Sequence, residues 1–405
     1  MKITDVKALR RDFPIFRHRT YVDTACYAPG YARVAQAAAD WHSSAMLMPG
    51  TSFDQTLAWL KPVAFARVEA AKLLGAQEEE IAFITSTGMG NCKIADALDL
   101  KAGDNVVIND LEFPSNVIAF TARQRKGVEI RRVNHQGGRL LLDDFAKLVD
   151  DRTRLIAISS VQWTNGFRMD LKSLVDLAES KKAYVVVDSC QSLGAMELDV
   201  RKTGIHFMVT QSHKWLFGPF STGLMFVRRD LIGKYDPTIV ESGNLFKNPA
   251  RQPYHHQLDL DNLTDYAIEF VDTAAKYQSC PNLPGLWGLY ESLKTINAYG
   301  IANIEERVLH LTDRLIERLR AVKGFTVSTP CGEGERSGIV SATTGSVDTD
   351  LETMRRLSQL GVGVSVRYQA GCGGVRMSLH FYNDEEDIDR LISALLGETK
   401  PLYFH

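Results

Sequence analysis

The chain has 405 residues, 45% of them apolar and 24% charged, with a formal net charge of −2. That balance leaves no electrostatic footprint for nucleic acid or an anionic membrane, and no apolar run reaches membrane-spanning length. The six cysteines (26, 92, 190, 280, 331 and 372) form no CxxC pair, which argues against a zinc site or a disulfide framework and for a reducing compartment.

The opening Met1-Lys2-Ile3-Thr4-Asp5 has no signal-peptide apolar core, so a cytoplasmic protein is expected. Between about residues 80 and 230 short apolar runs alternate with amphipathic stretches. Strands are predicted at Ile81–Thr85, Asn105–Asn109, Leu155–Ser160, Tyr184–Asp188, Phe207–Thr210 and Gly223–Val227. Their Val, Ile and Phe content lacks strict alternation, the signature of strands covered on both faces. Within Asp170–Lys182, residues Leu171, Leu174, Val175 and Ala178 share one side, predicting an amphipathic helix capped by Asp170. The alternation predicts an α/β fold with a mostly parallel central sheet covered by helices.

After about residue 275 the texture changes. Ile304, Val308, Leu311, Leu315 and Leu319 recur at helical spacing. Short strand-like runs follow at Gly338–Ala342 and Val375–Leu379, then a helix from about Asp384. The expected organisation is a large domain over 19–275 and a smaller α+β domain over 276–405 joined by residues 1–18. The acidic run Asp384-Glu385-Glu386-Asp387 complements a helix dipole rather than a metal, and no metal site is expected. There is no internal repeat.

Three places carry candidate chemistry. Ser86-Thr87-Gly88-Met89-Gly90 follows the first strand and opens a helix, which suits a phosphate or an ordinary N-cap. It is not a dinucleotide fingerprint, since position 93 is Lys rather than Gly. Asp188 ends the most apolar strand, where an aspartate either caps the next helix or faces a ligand beyond the carboxyl ends of the strands. Lys214 lies in a short connection between two strands, before Trp215-Leu216-Phe217; partial desolvation there makes an amine a usable nucleophile and base. His213 beside it either binds phosphate or packs as a core histidine. A lysine and a strand-end aspartate are the pair a pyridoxal 5′-phosphate (PLP) enzyme needs: the amine captures the aldehyde and the carboxylate keeps the pyridine nitrogen protonated.

His213-Lys214-Trp215-Leu216-Phe217-Gly218-Pro219, with Thr222-Gly223, resembles the cofactor-lysine signature of the class V aminotransferase superfamily of fold-type I PLP enzymes. That superfamily includes cysteine desulfurases, selenocysteine lyases, kynureninases and isopenicillin N epimerase-like proteins. The segment departs at Gln211, where a small residue is common, and at Ser221, where glycine is usual. The resemblance runs along nearly the whole chain. It implies that Ala25, in Tyr21-Val22-Asp23-Thr24-Ala25, lies near the substrate and that Thr87 and Gly88 form the phosphate loop. It also places Phe113 on the pyridine ring, has Gln162 and Gln191 contact its hydroxyl, and makes Asp188 the partner of its nitrogen. Gln211 and His213 join the cofactor set. Cys280, in Ser279-Cys280-Pro281-Asn282, stands where the family has a threonine that reaches the neighbouring subunit's phosphate in a homodimer. Arg376, with Arg367 nearby, is implied to anchor the substrate carboxylate through its guanidinium fork. The Arg367-to-Cys372 spacing matches one desulfurase group, so Cys372 is a candidate sulfur acceptor, although the stretch to Arg376 is far shorter than in those enzymes; a packed loop residue is the other reading.

The expectation is therefore a PLP-dependent enzyme acting at the α-carbon of an amino acid. Elimination at a C–S or C–Se bond comes first, with epimerisation and transamination as alternatives. A non-catalytic PLP-binding protein is the alternative from another class.

Overall fold

The computed structural model describes residues 6–48, 53–240 and 270–398; the ends of the expected small domain, at 1–5 and 399–405, lie outside them, as does 241–269 of the large one. In chain order the strands are β1 (Thr20–Tyr21), β2 (Ile81–Ile84), β3 (Asn105–Asn109), β4 (Glu129–Val133), β5 (Thr153–Ser159), β6 (Tyr184–Asp188), β7 (Phe207–Gln211) and β8 (Gly223–Val227). They continue with β9 (Thr326–Val327), β10 (Ile339–Thr343), β11 (Val362–Gly363), β12 (Ser365–Gln369) and β13 (Cys372–Ser378).

The central sheet runs β2-β8-β7-β6-β5-β3-β4. From β7 to β4 every pairing is parallel, and β8 is antiparallel to both its neighbours. The predicted strands match within a residue or two at their ends. β4 was not predicted, because Glu129-Ile130-Arg131-Arg132-Val133 reads as polar; it sits at the sheet edge, where charged side chains block further pairing. The predicted helix is Leu171–Ser180, and Asp170 caps it by accepting from the Ser173 N–H.

A second, antiparallel sheet, β12-β13-β10-β9, packs with the helices Ile301–Arg320, Val347–Gln359 and Glu385–Leu396. Asp384 caps the last of these in a reciprocal box with Asp387, so the acidic run does serve a helix start. The N-terminal segment joins this layer: β1 pairs with β11, and Arg10 makes a 2.6 Å ion pair with Asp387. The helix Leu283–Tyr299 instead buries Leu286, Leu289, Leu293 and Ile296 in the core that covers one face of the central sheet.

The β7–β8 connection is a tight, internally bonded loop. The Ser212 N–H donates to the Thr222 carbonyl at 3.0 Å, the Gly218 N–H to the Ser212 carbonyl at 2.8 Å, and the Ser212 and Thr222 hydroxyls are 2.6 Å apart. Trp215, Leu216 and Phe217 are buried after Lys214. A Cβ on Gly218 would lie 2.7 Å from that of Ser212, so only glycine closes the loop. Ser221 has φ +54°, a left-handed backbone, which costs a non-glycine residue about 1 kcal/mol. Ser221→Gly is therefore expected to raise stability by about that amount in urea unfolding; an unchanged or lowered midpoint contradicts strain at this position.

Candidate active site

The carboxyl ends of the central strands and one face of the second sheet enclose a cavity of about 300 Å³. Its lining unites Ala25, Thr87, Phe113, Asp188, Gln191, Gln211, His213, Lys214, Arg367 and Arg376 from the sequence-predicted set. Cys26, Ser115, Ser159, Trp163 and Cys190 complete it. Thr87 follows β2 and opens the helix Thr87–Ala97, Phe113 follows β3, Asp188 ends β6 and Gln211 ends β7. These are the positions a parallel sheet offers a ligand.

Asp188 is buried, and one oxygen accepts from the Cys190 N–H at 2.8 Å. Burial raises its carboxyl to about 6, with the Cys190 bonds and the charge of Lys214 opposing that rise and Glu112 adding to it. Beneath it the Cys190 sulfur contacts the Thr87 hydroxyl at 2.9 Å and receives the Gln211 N–H at 3.1 Å; burial pushes this thiol up to about 12. The Lys214 ammonium lies 5.5 Å from the centroid of Phe113. Phe113, 39% exposed, meets Trp163 edge-on at 5.3 Å. His213 stacks on Phe220 at 4.3 Å; burial, then Lys214, lowers its imidazole to about 4, so the ring is neutral at pH 7.

The lysine loop is anchored from behind. The Trp215 indole N–H donates to the Gln191 side chain at 2.8 Å, Gln191 donates to the Ala25 carbonyl at 3.1 Å, and the Ala28 N–H donates to the His213 carbonyl at 3.0 Å. Gly194 has φ +104°, and a Cβ there would lie 2.3 Å from the Trp215 carbonyl oxygen, so this close approach requires glycine.

Arg376, on β13, is 1% exposed. It donates to the Trp163 carbonyl at 2.8 Å and reaches Asp23 at 3.5 Å, while its Nε has no partner among the described residues. Burial lowers the guanidinium and raises Asp23, which also accepts from Ser365 at 2.9 Å. A buried guanidinium with an unspent N–H beside a cavity has the chemistry to grip a carboxylate.

Four predicted residues lie off the cavity wall. Gln162 is fully buried, donates to Glu112 at 3.2 Å and leaves its own oxygen unpaired. Gly88 is the next helical residue after Thr87. Cys280 is exposed in a small separate recess beside Ser279, whose buried hydroxyl has no partner. Cys372 is buried and borders a different groove, where Asn165 donates to its sulfur at 3.3 Å; burial raises its thiol. Sequence reasoning missed Glu112 as an organiser. Its carboxylate accepts from Asn109, Asn116, Gln162 and both the N–H and hydroxyl of Ser159, and a single buried Glu in a loop gives no warning of that.

PLP fits this donor set. An amine, a buried carboxylate, an aromatic face and a helix start with unspent N–H groups share one cavity, and the unpaired His213 Nδ1 and Arg376 Nε are donors or acceptors still to be satisfied.

A model described as Aminotransferase class-V matches residues 20–391. A probable cysteine desulfurase of Methanothermobacter thermautotrophicus is 27% identical over 417 residues, covering 98% of this chain and 97% of that protein. Among solved structures, the Escherichia coli cysteine desulfurase CsdA superposes with a TM-score of 0.82 at 20% identity, covering 98% and 99% of the two chains. The cystine C–S lyase C-DES, in complex with cysteine persulfide, gives 0.84 at 19% identity, covering 96% and 100%. At these identities the two structures speak for the fold.

Asp188 yields a pH test on the cofactor-free protein. Its folded value lies above the ordinary 3.8, so the folded state holds the extra proton between about 4 and 6. Its contribution is complete below that window and is lost as pH rises through about 6. Asp188→Asn removes the loss, which is on the order of 3 kcal/mol. In urea unfolding the variant should gain on the wild type at about pH 7.5, with the gap closing toward about pH 4.5; a pH-independent gap contradicts the assignment.

Proposed function

Since the chain belongs to the aminotransferase class-V family and is a PLP-dependent enzyme, we propose that it cleaves the C–S bond of a cysteine-like amino acid, as a cysteine desulfurase-like lyase. The observation that carries the amino-acid reading is the convergence of Lys214, Asp188 and Arg376 on one cavity. Similarity to a cysteine desulfurase along 98% of the chain favours the C–S bond.

When bound, PLP supplies an aldehyde that captures amines and a ring that accepts electrons. Lys214 would be the attachment point, and its amine would serve as the base for a proton at the substrate Cα. Asp188, buried from solvent, would keep the pyridine nitrogen protonated. Phe113 would pack against the ring. Thr87, Gly88 and the helix start, with His213 and Gln211, would hold the phosphate. Arg376 grips the α-carboxylate, helped into place by the Trp163 carbonyl and Asp23. Gln162 contributes by holding Glu112, and through it Ser159.

We further propose a cytoplasmic homodimer. Six free cysteines suit a reducing compartment. The helices Ala32–Leu47 and Phe53–Leu74 leave Met46, Leu47, Leu57, Phe65 and Val68 exposed, a patch that a second copy would cover. Cys280 lies outside this chain's cavity, in a separate recess where a neighbour's phosphate could reach it.

Incubation with cysteine, cysteine sulfinate, selenocysteine and alanine tests the reaction. Release of sulfide, sulfite or selenide is expected; amino transfer to a keto acid without such release contradicts the reading. Arg376→Lys should raise KM for the amino acid about tenfold to a hundredfold, because an ammonium cannot reproduce the two-pronged grip. A fall in kcat at unchanged KM contradicts the carboxylate role.

A further inference from the structure

We propose that Cys26, rather than Cys372, is the thiol that takes sulfur from the substrate; this rests on the C–S-cleaving reading above. Of the chain's six cysteines, only Cys26 and Cys190 line the cavity that holds Lys214 and Arg376. The Cys190 sulfur is engaged by Thr87 and by the Gln211 N–H. Cys372 is buried beside another groove and engaged by Asn165. Cys26 is half-buried and lines the cavity.

Two neighbours make that position chemically specific. Arg367, on β12, donates from Nη2 to the Cys26 sulfur at 3.4 Å and from Nη1 to the Val366 carbonyl at 2.9 Å. It makes no ion pair among the described residues; its charge also bears on Asp23, and its Nη2 is the group set against the sulfur, where it favours a sulfur anion. Arg376, with an unpartnered buried Nε, marks where a substrate carboxylate docks in the same cavity. The backbone fixes Cys26 between them, since its N–H donates to the Asp23 carbonyl at 3.0 Å and the Ala25 N–H donates to the Ser378 hydroxyl at 2.8 Å.

In the assigned step the Cys26 thiolate attacks the substrate sulfur. A Cys26 S–S bond forms and the substrate Cβ–S bond breaks. The bonding electron pair stays with the substrate carbon, which takes up a proton at Cβ and leaves as alanine. Cysteine plus enzyme thiol thus gives alanine plus enzyme persulfide, and an added dithiol releases the sulfur as sulfide while becoming a disulfide. Elimination without a protein thiol balances differently: cysteine plus water gives pyruvate, ammonia and sulfide. The carbon product therefore reports which thiol chemistry occurs.

The test uses the PLP-loaded enzyme with cysteine and no reductant, quenched with iodoacetamide and followed by peptide mass spectrometry and assays for alanine and pyruvate. Persulfide on the Cys26 peptide with alanine as the main product is expected. Cys26→Ala and Cys26→Ser should each lower alanine formation about a hundredfold while keeping the wild-type visible spectrum. In the cofactor-free protein, Arg367→Gln should slow Cys26 alkylation about fivefold. Pyruvate as the main product, persulfide confined to Cys190 or Cys372, or full alanine formation by Cys26→Ser overturns the Cys26 assignment and leaves C–S cleavage standing. No carbon or sulfur product from cysteine overturns the C–S reading, and the assignment falls with it.

Discussion

A carboxylate and an ammonium face one cavity from adjacent strand ends without touching each other. Asp188 closes β6 and Lys214 follows β7, which pairs with it in parallel. No ion pair between them is formed among the described residues, and burial holds the Asp188 carboxyl up at about 6 despite the nearby lysine. An anion kept in so dry a place is stable only when a cation or a proton donor joins it. A protonated pyridine nitrogen meets that requirement, and an aldehyde meets the reactive need of the amine. The fold thus sets both groups on the wall of one cavity with no ion pair between them among the described residues.

Everything behind these groups serves to keep them still. Trp215 is tied to Gln191 through its indole and to His380 through its carbonyl, at 2.8 Å each. Gln191 in turn holds the N-terminal segment through the Ala25 carbonyl. The same segment bonds to β13 through Ser378, which lies two residues from Arg376. The loop that carries Lys214, the strand that carries Arg376 and the N-terminal segment are thereby connected through short hydrogen bonds. Positioning groups through locked neighbours is what lets a site hold reacting atoms within a fraction of an ångström.

Much of this was legible in the sequence because the physics was local. Strands such as Val185–Val187 are apolar on both faces and announce themselves; the capping of Leu171–Ser180 by Asp170 follows from one side chain. The cavity lining was legible where strand ends fix position, as for Asp188, Thr87 and Phe113. It was less so where a long side chain chooses its own direction. Gln162 lies at the expected place in the chain, yet its amide turns to Glu112, a partner fifty residues away that no spacing reveals. Cys372 drew notice through its distance from Arg367, but Arg367 and Cys372 face different spaces. Cys26 drew none, because a cysteine in a turn has no pattern until the fold sets Arg367 against it. β4 was lost for the opposite reason, its charges being an adaptation to the sheet edge.

The covalent meeting of Lys214 with the cofactor aldehyde is the claim on which the site depends. Borohydride reduction of the PLP-saturated enzyme, followed by peptide mapping, measures it directly. A visible absorption band before reduction and a stable label on the peptide containing Lys214, both lost in Lys214→Ala, are expected. A colourless saturated protein, or a label on another lysine, would contradict the account.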